Sequence, residues 1–182
     1  TIYDQTDAKS LVKSVIKELN LDLKMYDPKS ALIKISLSKN NMQSAKDFLS
    51  LASNIHEEKI GQIYMQYENQ LKKNNSVDFD DLLVKPLMIF EQYPEVLDYY
   101  RHKFQYVLVD EYQDTNKPQF NFIYSLTKLK QDVFVVGDDD QSIYGWRGAD
   151  ITNILNFKNS YVNAKIIKLE QNYRSTKNIL DA

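Results

Sequence analysis

The sequence predicts an α/β fold, a parallel sheet with flanking helices, preceded by an all-helical segment. Three observations predict it. Tyr106-Val107-Leu108-Val109 runs straight into Asp110-Glu111-Tyr112-Gln113-Asp114, and Val133-Phe134-Val135-Val136-Gly137 runs into Asp138-Asp139-Asp140-Gln141. Both runs suit buried strands whose acids emerge at the C-terminal ends, where open α/β sheets place ligands. Helix-like stretches separate and follow these strands at a spacing that allows right-handed crossovers, while residues 1–75 keep helical periodicity throughout.

Taken in order, Asp4-Gln5-Thr6-Asp7 resembles a capping region, and Leu11, Val12, Val15, Ile16 and Leu19 follow at helical spacing, predicting a helix over 7–19. Asp27-Pro28 opens a second helix with Ala31, Leu32 and Ile35 on one face, broken by Asn40-Asn41. Helices over 43–54 and 57–73 come next. The second carries Ile60, Ile63, Tyr64, Tyr67 and Leu71 as a seam whose ordinary use is helix packing. The polar stretch Lys72-Lys73-Asn74-Asn75-Ser76 breaks the periodicity and predicts a domain boundary near residue 75, with a helical unit over 1–75 and an α/β unit over 76–182.

Val77-Asp78-Phe79-Asp80-Asp81-Leu82-Leu83 leads into a helix that runs to Tyr93, and Asp80 and Asp81 suit the positive end of its dipole. Another helix, around 94–102, precedes the first strand. Lys117-Pro118-Gln119 opens a helix to about Lys128, and a second strand covers 132–137. Residues 142–148 form a loop, 150–159 a helix, 164–169 a third strand, and Ser175-Thr176 cap a last helix.

With 182 residues, 43% hydrophobic and 12% aromatic, the chain can bury a real core, which excludes a disordered tail. Its 23 basic and 25 acidic side chains leave a net charge of −2, so any nucleic-acid binding depends on local clustering and not on an overall field. Residues 1–75 carry 11 basic and 9 acidic groups, against 12 and 16 in residues 76–182. Cysteine is absent, which removes disulfides and thiolate metal sites and makes a reducing, cytoplasmic location the simplest expectation. No run of about 18 apolar residues and no export leader is present. The start at Thr1-Ile2-Tyr3 and the stop at Asp181-Ala182 inside a helix-like stretch lead us to expect a piece of a longer protein.

The acids at Asp110, Glu111 and Asp114 can hold a magnesium ion through oxygen and supply a general base, or can serve as helix caps and turn acids. Gln141 is placed where an amide could meet a phosphate oxygen or orient a water, or could be a plain turn residue. Tyr144, Arg147 and the chain's single tryptophan, Trp146, share a glycine-bearing loop. Flat rings beside a guanidinium suit stacking on single-stranded bases, with half-buried loop packing as the alternative. Arginine is scarce, with Arg101, Arg147 and Arg174 the only three, so a motif arginine suggests a planar multi-donor role. Arg174, beside Tyr173, could neutralise charge on a transferring phosphoryl group. His56 and His102 stand alone and read as packing or surface residues.

The stretches Val109–Asn116, Val136–Ala149 and Gln171–Ser175 resemble motifs II, III and IV of UvrD/Rep-type superfamily 1 DNA helicases, in the family's order and spacing. Asp78-Phe79-Asp80-Asp81-Leu82-Leu83 resembles the acidic-aromatic segment that precedes motif II. The resemblance covers residues 77–176, and residues 1–75 are similar only to the helical 1B insertion of such enzymes. It implies a partial RecA-like 1A motor domain in which Asp110 and Glu111 meet the magnesium of Mg-ATP and Glu111 activates the attacking water. It also implies that Gln141 senses the γ-phosphate, Tyr173 packs on adenine and Arg174 acts as an arginine finger, while Tyr144, Trp146 and Arg147 touch single-stranded DNA. ATP and Mg2+ would be the cofactors, single-stranded and duplex DNA the partners, and 3′-to-5′ translocation with unwinding the activity.

The P-loop that binds triphosphate in this family is not found, since none of Gly61, Gly137, Gly145 and Gly148 precedes a lysine. The expected companions are therefore an N-terminal P-loop segment and a second motor domain of the parent chain, without which this fragment is not expected to hydrolyse ATP. Two rival readings remain: a metal-dependent nuclease using the same acids, and a non-catalytic single-strand-binding module using the aromatic loop.

Overall fold

The computed structural model describes residues 1–181, apart from the side chain of Arg147. Strand β1 (Ile2–Tyr3) leads into helix α1 (Gln5–Glu18), whose start is set by a capping box. Asp4 accepts from the Thr6 and Asp7 amides at 2.7 and 2.9 Å, and Asp7 accepts from the Asp4 amide at 3.3 Å. Helix α2 (Pro28–Asn40) begins on Asp27, which accepts from the Ser30 amide at 2.9 Å. After α3 (Ala45–Ser50) comes α4 (Ile55–Lys73), capped by Asn54.

The seam of α4 is buried as its periodicity predicts, with Ile60, Ile63, Tyr64, Tyr67 and Leu71 packing on Val12, Val15 and Ile16 of α1 and on Ala31 and Ile35 of α2. Gly61 lets α3 approach α4 closely, because a Cβ there would lie 2.9 Å from Leu49 Cδ1 and 3.2 Å from Leu49 Cα. His56 stacks on Tyr26 with ring centroids 5.1 Å apart, a packing role. His102 Nδ1 lies 2.7 Å from the Asp98 carbonyl oxygen.

Strand β2 (Val77–Asp78) pairs in parallel with β1, Ile2 opposite Val77 and Tyr3 opposite Asp78. Two residues a side are too few to show a period of two, so the sequence carries no signal for this sheet. Helices α5 (Asp81–Gln92) and α6 (Pro94–Lys103) then deliver the chain to β3 (Val107–Val109), and α7 (Lys117–Thr127) carries it to β4 (Val133–Val135). The pair is parallel, with Val107 opposite Val133, Leu108 opposite Phe134 and Val109 opposite Val135. The result is a helix-rich α/β chain with two small parallel sheets.

Three expectations need correction. The strands are not buried on both faces: Leu108 and Phe134 are 75% and 61% exposed, while their neighbours Val107, Val109, Val133 and Val135 are half-buried. One face of this two-stranded ribbon is half-buried and the other is open to solvent. The third strand over 164–169 does not form. Its β-branched residues favour an extended backbone, but a strand also needs a ladder partner, and among the described residues none pairs with this segment, which leaves Ile166, Ile167 and Leu169 exposed. The helix over 150–159 is divided at Asn156 into α8 (Thr152–Leu155) and α9 (Phe157–Ser160). The last helix is one short turn, α10 (Lys177–Leu180), with Thr176 at the N-cap position but making no side-chain cap bond.

Candidate functional site

The acidic turn grows out of β3. The Val136 amide donates to the Val109 carbonyl at 2.8 Å and the Tyr112 amide to the Val136 carbonyl at 2.9 Å, so Val136, just past β4, holds both sides of Asp110 and Glu111. Glu111 takes a left-handed backbone, φ 50°, and its amide donates to Asp110 Oδ1 at 2.9 Å. A non-glycine residue in that region carries strain, of the kind that collects at functional turns. Tyr112–Asp114 then form a 3-10 turn anchored by Tyr112, which is fully buried with its ring edge-on to Phe157 at 5.5 Å.

Gln113, only 1% exposed, joins the two predicted motifs. Its Nε2 donates to Glu111 Oε2 at 2.8 Å, and its Oε1 accepts from the Asp138 amide at 3.0 Å. Asp138 in turn accepts from Gln141 Nε2 at 2.6 Å. Glu111 and Gln141 thus belong to one hydrogen-bonded chain through Gln113 and Asp138. Sequence reading did not single out Gln113; its signal was being the amide set among three acids.

Beyond the turn, Thr115 Oγ1 donates to the Tyr112 carbonyl at 2.7 Å, and Asn153 Nδ2 and the Asp150 amide each donate to the Thr115 carbonyl at 3.0 Å. A shallow pocket of about 300 Å³ opens on this surface, lined among others by Asp110, Glu111, Asp114, Thr115 and Gln119. Asp114 Oδ1 is buried there with no hydrogen-bond partner. A larger depression of about 530 Å³, bounded by Leu49, Asn54, Ile55 and Glu58, holds a single acid and none of the predicted residues.

The aromatic loop lies on the outside. Trp146 is 74% exposed, with its ring 6.4 Å from that of Tyr144 and tilted 48° to it. Gly148 closes the loop at φ 86°, which favours glycine. The side chain of Arg147, expected beside these rings, lies outside the described residues. Among the described residues Tyr173 and Arg174 are not drawn to the acidic turn: Tyr173 is 87% exposed, and the hydrogen bonds shown for the segment stay among residues 171–175.

A second polar centre ties the helices to β2 and α5. Lys39 Nζ, buried, lies 2.6 Å from Glu68, 2.8 Å from Asp78 and 2.9 Å from Asp81. Tyr67 Oη donates to Asp78 at 2.9 Å. Burial works to lower the Lys39 pKa, but the carboxylates of Asp78, Glu68 and Asp81 together outweigh it and hold the ammonium above the ordinary lysine value. Asp81 does stand in the first turn of α5, as expected, yet its main partner is this ammonium and not the helix dipole alone. The three acids lie close enough to hold a metal ion, and Lys39 already supplies their cation.

Parallel strands that present acids and amides at their C-terminal ends, backed by helices, define an α/β chain of the ligand-binding kind. This chain belongs to the UvrD/REP helicase N-terminal domain family, whose profile matches residues 1–162. It is 50% identical over all 182 residues to the ATP-dependent DNA helicase PcrA of Staphylococcus epidermidis. It is 49% identical over the same length to the proteins of that name from Bacillus subtilis and Staphylococcus aureus. The match covers 25% of each of these relatives, so the chain spans about a quarter of their length.

Proposed function

We propose that this chain is part of an ATP-dependent DNA helicase, with a helical 1B-like unit over 1–75 and a partial RecA-like 1A motor unit over 76–182. The parent would hydrolyse Mg-ATP to drive 3′-to-5′ movement on single-stranded DNA and unwinding of duplex, in the cytoplasm. Family membership and the PcrA relatives support the general reading. The observation that carries it to the site is the bonded chain from Glu111 through Gln113 and Asp138 to Gln141. A motor needs its water-activating acid and its phosphate-sensing amide to answer to each other, and a shared scaffold supplies that.

The donor set fits magnesium. Hard divalent cations take oxygen ligands, and Asp110, Glu111 and Asp114 line one pocket, the buried Asp114 Oδ1 being without a hydrogen-bond partner. Asp110 would hold the ion, with Asp114 beside it directly or through a water, and the bound ion would neutralise triphosphate charge. Glu111 would take the proton of the attacking water, its carboxylate held by Gln113. Gln141 would contact the γ-phosphate. Tyr144 and Trp146, with Arg147, would meet unstacked bases, while Tyr173 and Arg174 would close on the nucleotide. That last step requires the 171–176 segment to be brought to the pocket, and residues of the parent beyond this chain would provide the P-loop.

The test is Glu111→Gln in the full-length parent. Loss of ATP turnover with retained ATP binding is the expected result; unchanged turnover removes Glu111 from the role. Magnesium-dependent nicking of DNA without nucleotide would instead favour a nuclease. Single-strand binding with no ATP hydrolysis by the full-length protein would favour a passive binding module.

A further inference from the structure

Gln113 uses both ends of its amide on two different strands' rims, and it does so almost without solvent exposure. A carboxylate such as Glu111, on an exposed turn, has rotamers to spare, and a buried donor 2.8 Å from Oε2 removes that freedom. The other end is equally constrained. The Asp138 amide that Gln113 receives belongs to the residue whose carboxylate receives Gln141. Gly137 shows how tight the fit is, because a Cβ there would lie 2.6 Å from Gln113 Oε1, 2.8 Å from Ile154 Cδ1 and 3.2 Å from the Tyr112 amide nitrogen. The absence of a side chain at 137 is therefore what admits the Gln113 amide to the gap between the two rims.

We propose that Gln113 is a positioning residue that aims the Glu111 carboxylate and passes displacement of the Asp138–Gln141 rim to it. The inference rests on the helicase reading above. When Gln141 shifts on its ligand, Asp138 moves with it and the amide carries that shift to Glu111, so water activation follows the state of the second rim. The Glu111 backbone, held left-handed, gives the carboxylate a fixed pivot about which so small a shift can act.

The experiment uses the full-length parent with single-stranded DNA and ATP. Gln113→Glu keeps length and an acceptor for the Asp138 amide, but removes the donor to Glu111 and adds a like charge. Gln113→Met keeps volume and removes both bonds. Each should lower DNA-stimulated kcat on the order of 100-fold, the scale of an ångström-level misplacement of a catalytic group, with KM for ATP within about threefold. Gly137→Ala should lower kcat in the same direction. If both Gln113 variants keep kcat within about twofold while Glu111→Gln abolishes it, the positioning role is wrong and the helicase reading stands. Equal loss of ATP binding and kcat would also overturn it, as that marks a general structural defect. An unmodified parent without ATPase, or a Glu111→Gln variant that still turns over, would take down the underlying reading itself.

Discussion

The Asn116 side-chain amide donates to the Asn40 side-chain oxygen at 2.9 Å, joining the C-terminal end of α2 to the cap of α7 across 76 positions of sequence. Asn40 Nδ2 also donates to Asp80 at 3.0 Å. Asn116 accepts from the Gln119 amide at 3.0 Å and completes a capping box. The acidic turn is therefore tied, at its far end, to the helical half of the chain.

Asn116→Ala should destabilise the protein by about 1–2 kcal/mol, since it removes the α7 cap as well as the bond to Asn40. Asn40→Ala should cost about 1 kcal/mol, and the double variant should lose less than the sum of the two. Urea denaturation of the four proteins measures this, and strict additivity would mean that the Asn40–Asn116 bond contributes nothing.

Lys39→Met should be the most damaging of these substitutions, on the order of 3–5 kcal/mol, because it leaves buried Asp78 without its cation and Asp81 with only the more exposed Lys85 ammonium at 3.4 Å. Adding Asp78→Asn and Asp81→Asn should restore part of the loss. The pH dependence has a definite sign. Lys39 is raised in the folded state above its ordinary 10.5, so its stabilisation is complete below that value and fades only as pH climbs through the higher folded value. Between pH 6 and 9 the Lys39 contribution should therefore stay constant, and a loss of it inside that range on stability curves would contradict the network.

Asp80 behaves in the opposite sense to a paired acid. Burial holds its carboxyl above the ordinary carboxylate value, more than the Ser36 and Asn40 hydrogen bonds pull it down. Its contribution is complete below the unfolded value of 3.8 and is lost as pH rises through the folded value. Asp80→Asn keeps an acceptor for Asn40 and should raise stability at pH 7 by about 0.5 kcal/mol, a small gain because the group is partly solvated. Thermal unfolding of both proteins at pH 3 and pH 7 should show the gain only at the higher pH.

Trp146→Ala in the full-length protein should weaken single-stranded DNA binding by about 1–3 kcal/mol, the range for loss of one stacking ring. Thermal stability should hardly change, because the ring is 74% exposed. Fluorescence titration with an oligonucleotide measures it, and unchanged affinity would remove Trp146 from the DNA-binding proposal.

Local sequence signals match the structure where their cause is local. Asp4 starts α1 because a side-chain oxygen within three residues can satisfy free amides, and the α4 seam is buried because its period matches the helix. Val107–Val109 and Val133–Val135 form strands and pair in parallel. The segment 164–169 has the same local character yet makes no strand, because pairing depends on a neighbour that its own residues do not supply.

By itself the sequence determined where the main helices lie to within a few residues, that the α4 seam is apolar, which acids follow β3, and the family to which the chain belongs. Only the tertiary structure decided that Lys39 sits among Glu68, Asp78 and Asp81, and that Gln113 bridges Glu111 to Asp138. The physical reason is the range of the forces concerned. Caps and periodicity act within a few residues, whereas a buried charge or amide is satisfied by whichever partner the packing of distant elements brings within about 3 Å.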